Sequence, residues 1–111
     1  MADIVDDIVF QIAKHFNRIF SDVKEFYVFG SSVDGKLHED DDVEIAVVFE
    51  VEDKAKREQI WPVIGKIETK FDATIELYPY TTETLKKDEE IYNEILSHSV
   101  AYNSMGIKFN N

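Results

Sequence analysis

Apolar side chains recur every three or four residues along three stretches of the chain, and that spacing predicts amphipathic helices. The first stretch runs from Asp3 to Phe20. The second runs from Asp53 to Phe71 and contains Pro62, which predicts either a kink or a helix that begins near Trp61. The third runs from about Asp88 to Tyr102, and we expect it to form the last helix of the chain.

Three shorter runs are rich in β-branched and aromatic residues, which are typical of strands. They are Phe26–Phe29, Val43–Phe49 and Thr74–Tyr78, and Pro79 is expected to end the third. Gly30-Ser31-Ser32 follows the first run and predicts a turn. The order is helix–strand–turn–strand–helix–strand–helix, which predicts an α+β fold with a small mixed sheet of about three strands. So few strands leave a sheet edge or face exposed for a partner or ligand.

Composition narrows the class of protein. The 111 residues include 12 Lys and Arg against 23 Asp and Glu, a net charge of −11. A chain of this length fits one domain, 1–111. The absence of cysteine excludes disulfides, zinc-thiolate sites and a catalytic thiol. We expect no membrane span and no long nucleic-acid ligand, because apolar runs are short and clustered cations are lacking. The acidic N-terminus does not resemble a signal peptide, so a cytoplasmic location is expected.

Candidate chemistry lies at the ends of the predicted strands. Gly30 and Ser31 could approach a phosphate, although Gly-Ser is also common in ordinary turns. Asp42 and Glu44 share one face of their strand, because side chains alternate along a strand. The pair could bind a divalent cation, or it could be part of a solvated polar face. Glu76 lies between two apolar residues of the third strand. If the second and third strands are neighbours, the three carboxylates can cluster and require a cation. Such a cluster suits metal-dependent phosphoryl or nucleotidyl transfer.

The order of these residues resembles a known family. Gly30-Ser31, ten residues (32–41) and then Asp42-x-Glu44 is similar to the Gly-Ser–ten residues–Asp-x-Asp signature of the minimal nucleotidyltransferases, within the polymerase-β-like superfamily. The apolar run before Gly30 and the late Glu76 also match the family's order. The segments Ile91–Ile95 and Ala101-Tyr102 resemble its closing helix.

The resemblance implies a nucleotidyltransferase-like fold and a specific reaction. AMP, or another nucleoside monophosphate, would pass from ATP or another nucleoside triphosphate to a hydroxyl acceptor. By this resemblance Gly30, Ser31 and Ser32 bind the nucleotide. Asp42, Glu44 and Glu76 are the catalytic residues and hold Mg²⁺, with room for two ions. The family also implies an antitoxin that inhibits a HEPN-type partner by binding it or by adenylylating its tyrosine.

The chain also departs from the family pattern. Glu44 and Glu76 stand where aspartate is usual, and a shift on the order of an ångström can cost ~10²-fold in rate. Asp34 replaces a family arginine, and Lys36 nearby is a weak substitute. A second hypothesis is therefore a non-catalytic binding module, and a third is a calcium-binding acidic domain. His38 is expected to be solvated.

Four aromatic residues could stack on an adenine, but they fit core positions better. They are Trp61, Tyr78, Tyr80 and Tyr102. The oligomeric state, the nucleotide and the acceptor are left open.

Overall fold

A four-stranded sheet forms the centre of the molecule. The computed structural model describes residues 2–109, so Met1 and Asn110–Asn111 of the predicted 1–111 domain lie outside the described residues. The elements in chain order are α1 (Ile4–Ile19), β1 (Val23–Phe29), a short 3₁₀ helix (Gly30–Asp34), β2 (Val43–Phe49), α2 (Lys54–Phe71), β3 (Ile75–Thr81), α3 (Thr82–Lys87), α4 (Glu89–Ser97) and β4 (Ser99–Asn103). The mixed α+β fold class is confirmed.

The strands lie in the order β3-β2-β1-β4. The helix α2 carries the chain across the sheet between β2 and β3, and these two strands are therefore parallel. The strand β1 is antiparallel to both β2 and β4. The condition on which the acidic cluster depended, that the second and third strands are neighbours, is thus met, and their ends lie at the same edge of the sheet.

The two faces of the sheet are covered unequally. Alternate residues of β2, including Val43, Ile45 and Val47, lie in the larger core with residues of α1 and α2. The opposite face carries a smaller core that includes Phe29, Ala46, Val48, Leu85 and Ile95. Glu44 lies two residues before Ala46 and four before Val48, so its side chain is on the same face of the sheet as theirs. This second face is opposite to the larger core. That face is where the candidate site must be sought.

The predicted strand count and the last helix were wrong. The stretch 88–102 does not form one helix: α4 ends at Ser97, and residues 99–103 form the fourth strand. Tyr102 pairs with Phe26 and is buried in the larger core. Short apolar runs satisfy both helical and strand periodicity, and here sheet pairing decides between them. The helix α3 was not predicted.

Pro79 does not end the third strand. It lies inside β3 and pairs with Val47 in the parallel ladder. Because β3 is an edge strand of the sheet, the missing N–H of proline is tolerated there. Pro62 likewise lies inside α2, which begins at Lys54 rather than near Trp61. None of the helices in the described part of the chain is long and apolar enough to span a membrane.

Candidate functional site

Two carboxylates face each other on adjacent strands. Glu44 of β2 is directly paired with Glu76 of β3 in the parallel register. Asp42 lies one residue before β2 begins. Together with Ser31, Asp40 and Asp41, these three line an open cavity of about 320 Å³. The structure therefore brings Asp42, Glu44, Glu76 and Ser31 to one place.

The backbone at Gly30 makes room for Glu44. Gly30 has φ +75°, a left-handed conformation that side chains rarely adopt, and a Cβ at this position would overlap the Glu44 carboxylate. It is the first residue of the 3₁₀ helix. A glycine is needed here both for the turn and for the space that Glu44 occupies.

Ser31 and Ser32 have different surroundings. Ser31 is exposed and lines the cavity. Ser32 is 1% exposed, and within residues 2–109 its Oγ has no hydrogen-bond partner. An unsatisfied buried hydroxyl is uncommon. Of the two serines that the family resemblance assigns to the nucleotide, Ser31 lines the cavity and Ser32 is buried and does not line it.

The surroundings of Glu44 in the cavity disfavour its ionised form. Burial raises the pKa of Glu44, and the negative charges of Glu94, Glu76 and Asp42 raise it further. Tyr78 lies on the same face, and its pKa is raised by burial and by the neighbouring Glu76. Like charges held together in this way are relieved by a cation or a proton.

Sequence reasoning missed Glu94 as a member of this neighbourhood. It lies on α4, is partly buried, and contributes more to the raised pKa of Glu44 than Glu76 or Asp42 does. Register explains the placement: Phe29 pairs with Glu44 on one side and with Ser99, just after α4, on the other. No motif in the sequence indicates Glu94, because its position depends on β4, which was not predicted.

The loop that follows the 3₁₀ helix contains its own ion pair. His38 Nε2 lies 2.9 Å from Asp34 Oδ2, and both side chains are substantially exposed. The backbone N–H of Lys36 lowers the pKa of Asp34, and His38 contributes to the same shift. His38 therefore contacts a carboxylate of its own loop and is not among the residues lining the acidic cavity.

The four aromatic residues considered for adenine stacking have different surroundings. Tyr102 is buried, as expected for a core residue, whereas Trp61 on α2 is 49% exposed. Tyr80 donates a hydrogen bond to Asp88 at 2.6 Å. Only Tyr78 packs near the acidic cavity, against Phe29. Core placement is confirmed for Tyr102 and wrong for Trp61.

The donor chemistry of the cavity fits a hard divalent cation. All of its charged groups are carboxylates, the ligands that Mg²⁺ and Ca²⁺ prefer, and their mutual repulsion would fall on cation binding. As placed, however, no group of three or more His, Asp or Glu side chains among residues 2–109 is arranged to hold a metal ion. A metal would therefore take ligands from the substrate as well, because Mg²⁺ is commonly held by one or two carboxylates together with phosphate oxygens.

Comparison with known proteins identifies the family. A family model described as a nucleotidyltransferase domain matches residues 9–102. The chain therefore belongs to the nucleotidyltransferase domain family. The match includes both strands that carry the acidic pair and ends within β4. A comparison with curated proteins gave no significant match.

Two solved structures share the fold. Both are crystal structures of mutants of a toxin-antitoxin complex named MntA-HpeT, one with two aspartates replaced by glutamate and one with a tyrosine replaced by alanine. The first is 19% identical with a TM-score of 0.62, covering 84% of this chain and 70% of that chain. The second is 20% identical with a TM-score of 0.54, covering 81% and 67%. At these identities the likeness shows the fold alone.

Proposed function

We propose that the acidic cavity transfers a nucleoside monophosphate, most simply AMP from ATP, to a hydroxyl acceptor. The observation that carries this proposal is the pairing of Glu44 with Glu76 on adjacent strands beside a glycine whose missing side chain makes room for Glu44. Membership of the nucleotidyltransferase domain family supports the same reaction class.

Each residue has a role that follows from its place. Ser31 and the backbone at Gly30 bind phosphate oxygens, and the backbone carbonyl of Ser32 closes the turn by accepting a hydrogen bond from the N–H of Gly35. Asp42, Glu44 and Glu76 would hold one or two Mg²⁺ ions, which when bound neutralise the charge of the triphosphate. Glu76 lies on the outer strand of the pair, and it orients the acceptor hydroxyl.

The reaction balances without any further reagent. The acceptor oxygen attacks the α-phosphorus of the nucleoside triphosphate, and the bond from that phosphorus to the bridging oxygen breaks. Pyrophosphate leaves with the bonding electron pair, and the hydroxyl proton passes to a carboxylate or to solvent. Positioning and charge neutralisation carry most of such a reaction, so small shifts of the carboxylates matter.

We propose a protein acceptor, namely a tyrosine on a HEPN-type toxin partner. The solved structures that share this fold are named as toxin-antitoxin complexes, which supports a toxin-antitoxin context for the proposal. In this role the chain is the antitoxin, and transfer of AMP to the partner would inactivate the partner.

A second function is favoured by one specific observation. Among the described residues no group of three or more His, Asp or Glu side chains is arranged to hold a metal ion. A chain that had lost catalysis would still present an acidic surface to a toxin and inhibit it by binding. Glu44 and Glu76, one methylene longer than the family's usual aspartates, favour this alternative as well.

Labelling from the α-phosphate of ATP separates the two functions. Wild-type protein, Asp42→Asn and the exposed control Asp7→Asn on α1 are incubated with Mg²⁺, α-labelled ATP and a HEPN-type toxin. Catalysis predicts label on the toxin with wild type and Asp7→Asn but not with Asp42→Asn. Equal labelling by all three contradicts the site. Inhibition of the toxin without any labelling supports the binding module.

A further inference from the structure

The second face of the sheet carries a hollow at the end opposite to the acidic cavity. We call it the β1–α4 hollow, and its volume is about 310 Å³. Its apolar lining comes from β1, β2, α3 and α4, namely Tyr27, Val48, Leu85, Tyr92, Ile95 and Leu96. Apolar and aromatic walls of this size are typical of binding pockets rather than of ordinary surface.

The last described residues add exposed apolar side chains to the same face of the sheet. Lys108 pairs with Tyr102 in an antiparallel bridge, so residues 107–109 run beside β4. Tyr102 belongs to the larger core, and Ile107 and Phe109 therefore fall on the second face, as Tyr27 does. Ile107 is 50% exposed, Phe109 49% and Leu96 67%. Exposed apolar side chains that share one face mark interaction sites.

A carboxylate lies within the apolar lining. Glu25 of β1 is partly buried and lines the hollow beside Tyr27. No ion pair involves Glu25 in the described part of the chain. The lining also includes Lys86, which is exposed and forms no ion pair with it. A partly buried carboxylate beside two tyrosines, one of which it already contacts, suits a guanidinium, which can stack on the rings while it pairs with the acid.

We propose that the β1–α4 hollow is the docking surface for an amphipathic helix of a basic protein partner. Apolar side chains of that helix fill the hollow, and an arginine among them pairs with Glu25. The charge of −11 attracts a basic protein. A second copy of this chain is a poor occupant, because it brings the same acidic charge.

Two designed peptides test the proposal without nucleotide, so its failure and the failure of nucleotidyl transfer are distinguishable. Each is an amphipathic helix of about 16 residues with leucines at i, i+4 and i+7. One carries arginine between the leucines and the other carries glutamate. Binding to ¹⁵N-labelled protein is followed by chemical-shift changes, in wild type, Glu25→Gln, Leu96→Asp and the control Trp61→Asp on α2.

The expected result has three parts. The arginine peptide shifts amides of β1 and α4 and binds at least about fivefold tighter than the glutamate peptide, as a partly buried ion pair predicts. Glu25→Gln reduces that difference to the part that comes from the overall acidic charge, and Leu96→Asp weakens both peptides. Trp61→Asp leaves binding unchanged.

Several results would overturn the proposal. Equal affinity for the two peptides would remove the role of Glu25, and shifts confined to the acidic cavity would move the docking surface there. A dimer of the free protein that Leu96→Asp dissociates would show that the occupant is a second copy. Leu96 is largely exposed and Glu25→Gln is isosteric, so loss of folding is not expected to confuse these outcomes.

Discussion

Two groups of carboxylates in this molecule have opposite surroundings. Asp6 of α1 accepts hydrogen bonds from Tyr102 Oη at 2.6 Å and from Lys108 Nζ at 3.1 Å. Burial tends to raise its pKa, but these partners outweigh burial and lower it. Glu44 of β2 has only acidic neighbours among the groups that shift its pKa, and that pKa is raised.

We interpret the difference as separating a structural carboxylate, Asp6, from a proposed functional one, Glu44. Asp6 joins α1 to β4 and to the end of the chain, and its charge stabilises the fold. Glu44 and Glu76 are held together by strand pairing at the expense of stability. A fold retains such repulsion where a ligand or reaction requires it, so the contrast locates the site more clearly than acidity does.

The largest expected effect is on the reaction. Glu44→Gln keeps the shape of the side chain and removes its charge, and we expect nucleotidyl transfer to fall by about 100-fold, as for removal of one metal or charge-stabilising group. Asp6→Asn serves as the control and should leave the rate unchanged at a temperature where it remains folded. Steady-state labelling measures both. An equal loss of transfer rate in Glu44→Gln and Asp6→Asn would contradict the proposal that Glu44 acts in the reaction and Asp6 only in the fold.

For stability we expect the opposite order, with Asp6 and its partner Tyr102 contributing more than Glu44. Tyr102→Phe removes the hydrogen bond to Asp6, and we expect it to cost about 2 kcal/mol in the free energy of unfolding at neutral pH. A lowered pKa contributes stability above the unfolded value, about 3.9 for aspartate, that is lost as pH falls through the folded value. The difference from wild type should therefore shrink in acid. Denaturant unfolding at several pH values checks it, and a constant difference would contradict the role of ionised Asp6.

A backbone substitution tests the packing of Glu44. Gly30→Ala places a methyl group on the Glu44 carboxylate and imposes a left-handed residue, which costs about 1–2 kcal/mol. The double variant Gly30→Ala with Glu44→Ser removes the clash but not the backbone cost. We expect the double variant to be more stable than the sum of the single variants predicts. Strict additivity in urea unfolding would mean that Gly30 and Glu44 do not contact each other.

The smallest effect is a gain in stability. A raised pKa means that ionised Glu44 destabilises the fold above the unfolded value, about 4.3 for glutamate, and most fully above the folded value. Glu44→Gln should therefore raise the free energy of unfolding at pH 7 by roughly 0.5–1 kcal/mol. The gain should disappear below about pH 4. The exposed control Glu89→Gln should show no such gain, and destabilisation by Glu44→Gln at both pH values would contradict the raised pKa.

Several features of the fold could be predicted from local pattern alone. The strand Val43–Phe49 was predicted with its observed bounds, because its β-branched run excludes other structures. Predictions went wrong where neighbours decide the outcome. Pro79 is accepted because β3 is an edge strand, and residues 99–103 form a strand because β1 offers an antiparallel partner. Neither fact is visible in the local sequence.

The candidate site shows the same division. The order of Gly30, Asp42 and Glu76 along the chain was enough to propose one acidic cluster, on the condition that the second and third strands are neighbours. It was not enough to find Glu94, which reaches this region through α4 and the unpredicted fourth strand. Nor does sequence reveal that Asp34, in the position of a family arginine, pairs with His38. Residues on consecutive strands were predictable, and those that depend on helix packing were not.

The most direct test of the contrast is where a divalent cation binds. Mn²⁺ replaces Mg²⁺ as a paramagnetic probe and is titrated into ¹⁵N-labelled protein, with amide broadening read residue by residue. The account predicts broadening centred on Ser31, Glu44 and Glu76, and its loss in Asp42→Asn. Broadening centred on Asp3 and Asp6, or spread evenly over the acidic surface, would contradict the claim that Asp42, Glu44 and Glu76 form the site.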